Sequence, residues 1–177
     1  MKIAIIGYSG SGKSTLAEKL SNYYSTPKLH MDTLQFQPGW QDSDREWMLT
    51  EMKNFLTKHE TWVIDGNYSW CCYEERMQEA DQIIFLNFSP WTCLFRAFKR
   101  YLTYRGKVRE SMAAGCPERF DWEFIRWILW DGRTKNAKER YQRVQENYPE
   151  KVIILRSQKE MDRFLENLTH NKKNQRA

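Results

Sequence analysis

The stretch from Met1 to Leu20 constrains this chain more than any other. Lys2-Ile3-Ala4-Ile5-Ile6 is a short apolar run of the kind that forms a strand buried on both faces of a parallel sheet. It stops at Gly7, and Gly7-Tyr8-Ser9-Gly10-Ser11-Gly12-Lys13-Ser14 then fits Gly-x-x-x-x-Gly-Lys-Ser/Thr, the P-loop pattern, at every fixed position. Thr15 to Leu20 continues as an amphipathic helix. The glycines let the backbone curl until successive N–H groups point at phosphate oxygens, and the helix N-terminus adds partial positive charge. Gly7, Ser9, Gly10, Ser11, Gly12, Lys13, Ser14 and Thr15 are therefore read as a binding loop for ATP. In that reading Lys13 reaches the β and γ phosphates and Ser14 ligates Mg²⁺.

Strands and helices alternate through the remainder. Pro27 to Met31, Thr61 to Ile64, Gln82 to Leu86 and Lys151 to Leu155 read as strands, so the whole is a five-stranded parallel sheet with helices on both faces. Thr33 to Gln41 reads as a loop, followed by a helix to about Lys58 opened by a capping box of Ser43 and Glu46. A short helix covers roughly Cys72 to Glu79. Ser89-Pro90 opens a helix to about Tyr104 with Leu94, Phe95, Phe98 and Leu102 on one side and Arg96, Lys99 and Arg100 on the other. Asp121 caps a Trp-rich helix to about Trp130, Lys135 to Asn147 forms another, and Ser157 with Glu160 caps the last, Gln158 to Leu168. One domain over 1–169 is expected, with a basic lid at about 105–133 and a polar, frayed tail over 170–177.

Charge is concentrated. The chain carries a formal +5, yet between Leu94 and Arg143 there are 13 Lys/Arg against 6 Asp/Glu, so the rest is slightly acidic. A basic patch of this kind serves either nucleic acid or an enzyme closing over polyphosphate. The four cysteines, Cys71, Cys72, Cys93 and Cys116, show no metal-site spacing, and neighbouring Cys71-Cys72 is poorly placed for a disulfide. A reducing, cytoplasmic setting is expected. No apolar stretch approaches the roughly 20 residues that span a bilayer, and no signal peptide is expected.

Two carboxylates end apolar strands. Asp65 stands where a P-loop protein holds Mg²⁺ alongside the loop hydroxyl, and its alternative is a turn aspartate before Gly66. No carboxylate follows it to activate water, which favours transfer to an acceptor over hydrolysis. Asp32 can orient an acceptor hydroxyl or take its proton, or can cap the next loop through an Asx-turn. Arg96, Arg100 and Arg109 are the candidates for phosphate contact and transition-state charge, brought in by a closing lid. Arg76 is either an acceptor contact or a surface residue. Trp122, Phe124, Trp127 and Trp130, at helical spacing, read as core or lid packing, and His30 receives no role.

The order of these segments resembles adenylate kinase and its nucleotide-kinase relatives over nearly the whole chain, implying the three-layer α/β/α P-loop fold and ATP-dependent phosphotransfer. In those enzymes Asp-Gly-Phe-Pro-Arg binds a monophosphate acceptor. Here Asp65-Gly66 is followed by Asn67-Tyr68-Ser69, so the acceptor arginine is missing from its usual place. His30-Met31-Asp32-Thr33-Leu34, Pro38-Gly39-Trp40, Asp65-Gly66-Asn67-Tyr68, Arg105-Gly106-Lys107 and Gly115-Cys116-Pro117-Glu118-Arg119 resemble the bacterial DNA topology modulation (FlaR-related) family more closely. That name implies a link to DNA supercoiling, although no helix-turn-helix, zinc finger or topoisomerase site is legible. The expected activity is Mg²⁺-dependent phosphotransfer from ATP to an unidentified small acceptor, with a nucleotide-gated DNA-binding regulator as the alternative.

Overall fold

The computed structural model describes residues 1–174. Its elements are β1 (Lys2–Gly7), α1 (Lys13–Tyr24), β2 (Lys28–His30), α2 (Asp32–Gln35), β3 (Phe36–Gln37), β4 (Gln41–Asp42), α3 (Arg45–Lys58), β5 (Trp62–Asp65), α4 (Tyr73–Glu79), β6 (Gln82–Leu86), α5 (Pro90–Tyr104), α6 (Trp122–Leu129), α7 (Lys135–Asn147), β7 (Val152–Leu155) and α8 (Gln158–Asn174). A single 3₁₀ turn, Asp131–Arg133, joins α6 to α7.

The five expected strands form one sheet in the order β2-β5-β1-β6-β7, every pairing parallel. The central strand β1 and its neighbours β5 and β6 are apolar because both faces are covered: Ile3, Ala4, Ile5, Val63, Ile64, Ile83 and Ile84 are wholly buried. With strand order β2-β5-β1-β6-β7, the right-handed rule for parallel crossovers puts the connection from β1 to β2 over one face and those from β2 to β5, β5 to β6 and β6 to β7 over the other. Helices therefore flank both sides. The last helix returns to the side of α1, where Tyr23 donates its hydroxyl to the Leu168 carbonyl.

Several local expectations change. Thr33 to Gln41 is a single helical turn, α2, followed by the two-stranded hairpin β3–β4. The cap of α3 is Asp44, which accepts from the Trp47 N–H at 2.9 Å, while the Ser43 hydroxyl is buried without a partner among the described residues. The Ser157–Glu160 box does form. The last helix runs past Leu168 to Asn174, so His170 to Asn174 is helical; residues 175–177 lie outside the described residues.

The amphipathic helix α5 turns the side bearing Arg96 and Arg100 inward and much of its apolar side outward. Cys93 and Ala97 are buried, whereas Phe95 and Leu102 are 68% and 58% exposed. The arginine side faces the interior of the fold because Gly10 approaches α5 so closely that a Cβ there would lie 2.5 Å from the Cys93 carbonyl oxygen. Only small residues fit that seam.

Candidate active site

A cleft of about 930 Å³ opens at the carboxyl ends of the strands, the edge where ligands gather in doubly wound sheets. One wall is the P-loop. Gly10 and Gly12 have φ of +79° and +99°, open to glycine but strained for other residues, and a Cβ at Gly12 would strike the Arg96 guanidinium. Lys13, at the start of α1, folds its ammonium onto the Tyr8 carbonyl at 3.3 Å. Enclosure strips water from that ammonium and lowers its pKa below the ordinary 10.5, against the attraction of Asp32 and Asp65.

Ser9, Gly10, Gly12, Lys13, Ser14 and Thr15 line the cleft; Gly7 and Ser11 stand behind them. The Ser11 hydroxyl is buried without a partner among the described residues, its N–H bonded to the Tyr8 carbonyl at 3.1 Å. Gly7 is held from across the sheet. Its N–H donates to Asn67 Oδ1 at 3.1 Å, and Asn67 Nδ2 donates back to the Gly7 carbonyl. Asn67 thus fastens the start of the loop to the end of β5.

Ser14 Oγ donates to Asp65 Oδ2 at 2.9 Å. The other Asp65 oxygen accepts from His30 Nδ1, and both residues of that pair are buried. His30 sits opposite Asp65 in the β2–β5 register, so this histidine, given no role from sequence, orients the Asp65 carboxylate. Among the described residues no group of three or more His, Cys, Asp or Glu could hold a metal by itself. A hydroxyl backed by a buried carboxylate does fit Mg²⁺, which takes few protein ligands and fills its shell with water and phosphate oxygens.

Across the cleft, α2 starts at Asp32. Tyr68 donates its hydroxyl to Asp32 Oδ1 at 2.7 Å. Burial, reinforced by the Asp32 charge, pushes the phenol pKa upward, so Tyr68 stays protonated and remains a donor. Asp32 Oδ2 faces no hydrogen-bond donor among the described residues. The loop carrying Tyr68 is clamped from below by Arg76, which is fully buried and donates to the carbonyls of Gly66, Tyr68 and Cys72. Desolvation brings its guanidinium down to about 10. Arg76 is neither at the surface nor in the lining of the cleft; it is a strut beneath the loop.

The arginines divide into groups. Arg96, Arg100 and Arg109 all line the cleft. Arg96 lies beside Gly12 and donates to Gln158 Oε1. Arg100 and Arg109 both grip the buried carboxylate of Glu118, Arg100 Nε at 2.8 Å. Burial lowers the pKa of Arg96 and of Arg100, which still remain cations. Arg133 packs over the Tyr8 ring at 3.7 Å and donates to the Phe88 carbonyl, a structural post behind the loop. The tryptophans also depart from expectation. Trp122, Trp127 and Trp130 are exposed, and Trp127 Nε1 donates to Ser9 Oγ at 3.0 Å, tying α6 to the P-loop.

Among the described residues no helix is long and apolar enough to cross a membrane. No protein-family model matches the chain, and no curated protein matches it. Solved structures are similar to it in fold. A deoxyadenosine kinase from M. mycoides with the products dCMP and a flexible dCDP bound is 18% identical with a TM-score of 0.51, over 100% of both chains. The same enzyme with bound dATP gives 19% and 0.50, over 98% of this chain and 100% of that one. A gluconokinase from Sinorhizobium meliloti 1021 gives 18% and 0.48, over 96% of each. The sheet order, the loop after β1 and the likeness to the deoxyadenosine kinase together establish a P-loop kinase α/β fold.

Proposed function

We propose that the protein transfers the γ-phosphoryl group of ATP to a hydroxyl of a small acceptor, with Mg²⁺. The observation that carries this reading is the pairing of two carboxylates across one cleft: Asp65 behind Ser14 on the phosphate side, and Asp32, held by Tyr68, on the other. Ser14 would ligate the metal and Asp65 would reach it through water. When bound, Mg²⁺ draws charge from the β and γ phosphate oxygens. Lys13 and the loop N–H groups fix the phosphates. Asp32 orients the acceptor hydroxyl and takes its proton through Oδ2, while Arg100 and Arg109 face the charge that develops during transfer.

Four of the five segments that resemble the DNA topology modulation family support the same reading, because they reach the cleft, while Arg105-Gly106-Lys107 does not line it. Asp32, Trp40, Asn67, Tyr68, Glu118 and Arg119 all line it. The duplex-DNA alternative has less support. Arg100, Arg109 and Arg133 turn inward onto partners within the fold and do not form an outward stripe for phosphodiesters.

A coupled assay of ADP release across a panel of hydroxyl acceptors tests the proposal. Acceptor-dependent release is expected in the wild type, falling at least about 100-fold in Lys13→Ala, the scale of losing one group that stabilises transition-state charge. A Lys13→Ala protein that works at the wild-type rate overturns it.

A further inference from the structure

The outward face of α5 carries Trp91, Phe95, Phe98 and Leu102, which are 69%, 68%, 42% and 58% exposed. At about 100° per residue these four fall within a sector of roughly 60°, and Cys93, Arg96, Ala97 and Arg100 fall on the opposite side. Their spacing of four, three and four residues is the a and d pattern by which one helix packs into the grooves of another. Among the described residues Phe98 alone of the four has a ring contact, with Phe120 at 5.2 Å. In so polar a chain, with a mean hydropathy of −0.80, a solvent-facing helix side ordinarily shows charge instead.

The rim of this stripe decides the chemistry of what covers it. Arg96 and Arg100 turn to the cleft, so the residues flanking the stripe along the helix are Thr92, Leu94, Lys99, Tyr101 and Thr103, with one charge among them. A phosphodiester or an anionic lipid surface would select several cations beside the apolar residues. A nearly neutral stripe fits a nearly neutral, apolar surface.

The stripe is also complementary to itself. A spacing of four, three and four reads the same in both directions, so a two-fold axis midway between Phe95 and Phe98 lays it antiparallel on a second copy. Trp91 then meets Leu102 of the other copy and Phe95 meets Phe98. Lys99 comes to lie beside Thr92 of the other copy, not beside its own counterpart, so no like charges face each other. At about 200 Å² for a large side chain, the exposed fractions amount to roughly 450 Å² per copy, or about 900 Å² for the pair. With the rim added, the contact reaches the ~1,000 Å² of a specific interface. We infer that α5 is a homodimer interface, in which two copies pair antiparallel through Trp91, Phe95, Phe98 and Leu102. The pairing face and the cleft face are opposite sides of one helix, and the inference is independent of the phosphotransferase reading.

Sedimentation velocity of the full chain across about 1–100 μM, a range suited to an interface of this size, is the test. The wild type is expected to pass from its 21.5 kDa monomer to twice that mass. Phe95→Glu and Phe98→Lys, at positions that oppose each other across the two-fold axis, should each stay monomeric. Their equimolar mixture should recover a dimer, because a carboxylate then faces an ammonium. Trp91→Glu mixed with Leu102→Lys repeats the test away from the Phe120 contact, and circular dichroism melts show that each variant folds. A wild type that is monomeric at about 100 μM overturns the inference, and binding of that monomer to vesicles containing phosphatidylserine would give the face to a membrane instead. A dimer that survives both Phe95→Glu and Trp91→Glu overturns it, as do mixtures in which neither pair reassociates.

Discussion

Lys13 shows how an enclosing loop sets the energetics of a single residue. Its ammonium lacks a carboxylate partner within hydrogen-bond reach and is desolvated by the loop that encloses it, so its pKa is depressed. The unfolded chain holds that proton more tightly than the folded one. Stability therefore rises with pH between the lowered value and 10.5, and is diminished below that window. Lys13→Met should raise the melting temperature of the protein without nucleotide at pH 7. It should also abolish the stabilisation that ATP gives the wild type, about 2.7 kcal/mol at 100 times Kd. Paired thermal melts with and without ATP check both; a variant that loses stability without nucleotide contradicts the argument. Lys13, Ser14, Asp32 and Asp65 were legible in the sequence because a local motif and strand ends mark them. His30, Asn67 and Tyr68 were not, because their partners Asp65, Gly7 and Asp32 are set by strand register and loop path, which no local spacing encodes.

At the scale of elements, strands and most helix limits followed from apolar runs and caps: β6 and α7 fall where the sequence places them, and Ser89 and Asp121 both accept from the N–H three residues on. Helix orientation is left open by periodicity alone. The periodicity of α5 marks two faces, and the apolar face is the ordinary choice for the interior. Here the inner side of α5 meets a polar cleft and a glycine seam, so Arg96 and Arg100 turn inward and Phe95 outward. Stability should expose this inversion. Phe95→Gln, at a 68% exposed position, should change unfolding free energy by less than about 0.5 kcal/mol. Ala97→Leu, wholly buried, should cost about 1–3 kcal/mol through overpacking. Urea melts of the two variants, run dilute enough to keep the chain monomeric, decide it, and the reverse order would place the apolar side of α5 inward.

At the scale of the molecule, the basic segment between α5 and α6 is fastened onto the β3–β4 hairpin. The Gly39 N–H donates to the Gly115 carbonyl at 3.0 Å, Trp40 Nε1 to the Pro117 carbonyl at 3.2 Å, and Met112, Ala113 and Cys116 pack on Phe36 and Trp40. The segment and the hairpin are thus one unit, joined to the cleft through Glu118. That carboxylate, 3% exposed, lies between Arg100 and Arg109 as an internal anion at the position where transferred phosphate charge is proposed to develop. Glu118→Gln would leave two enclosed guanidiniums without their countercharge, a change that costs about 3–5 kcal/mol where a buried pair is broken. Because the same guanidiniums face the cleft, the polyphosphate of bound ATP should restore much of that loss. The expected result is a lower melting temperature than wild type, with a larger upward shift on adding saturating Mg²⁺ and ATP. If the shift equals that of the wild type, Arg100 and Arg109 do not reach the phosphates and Glu118 is only a brace for the lid.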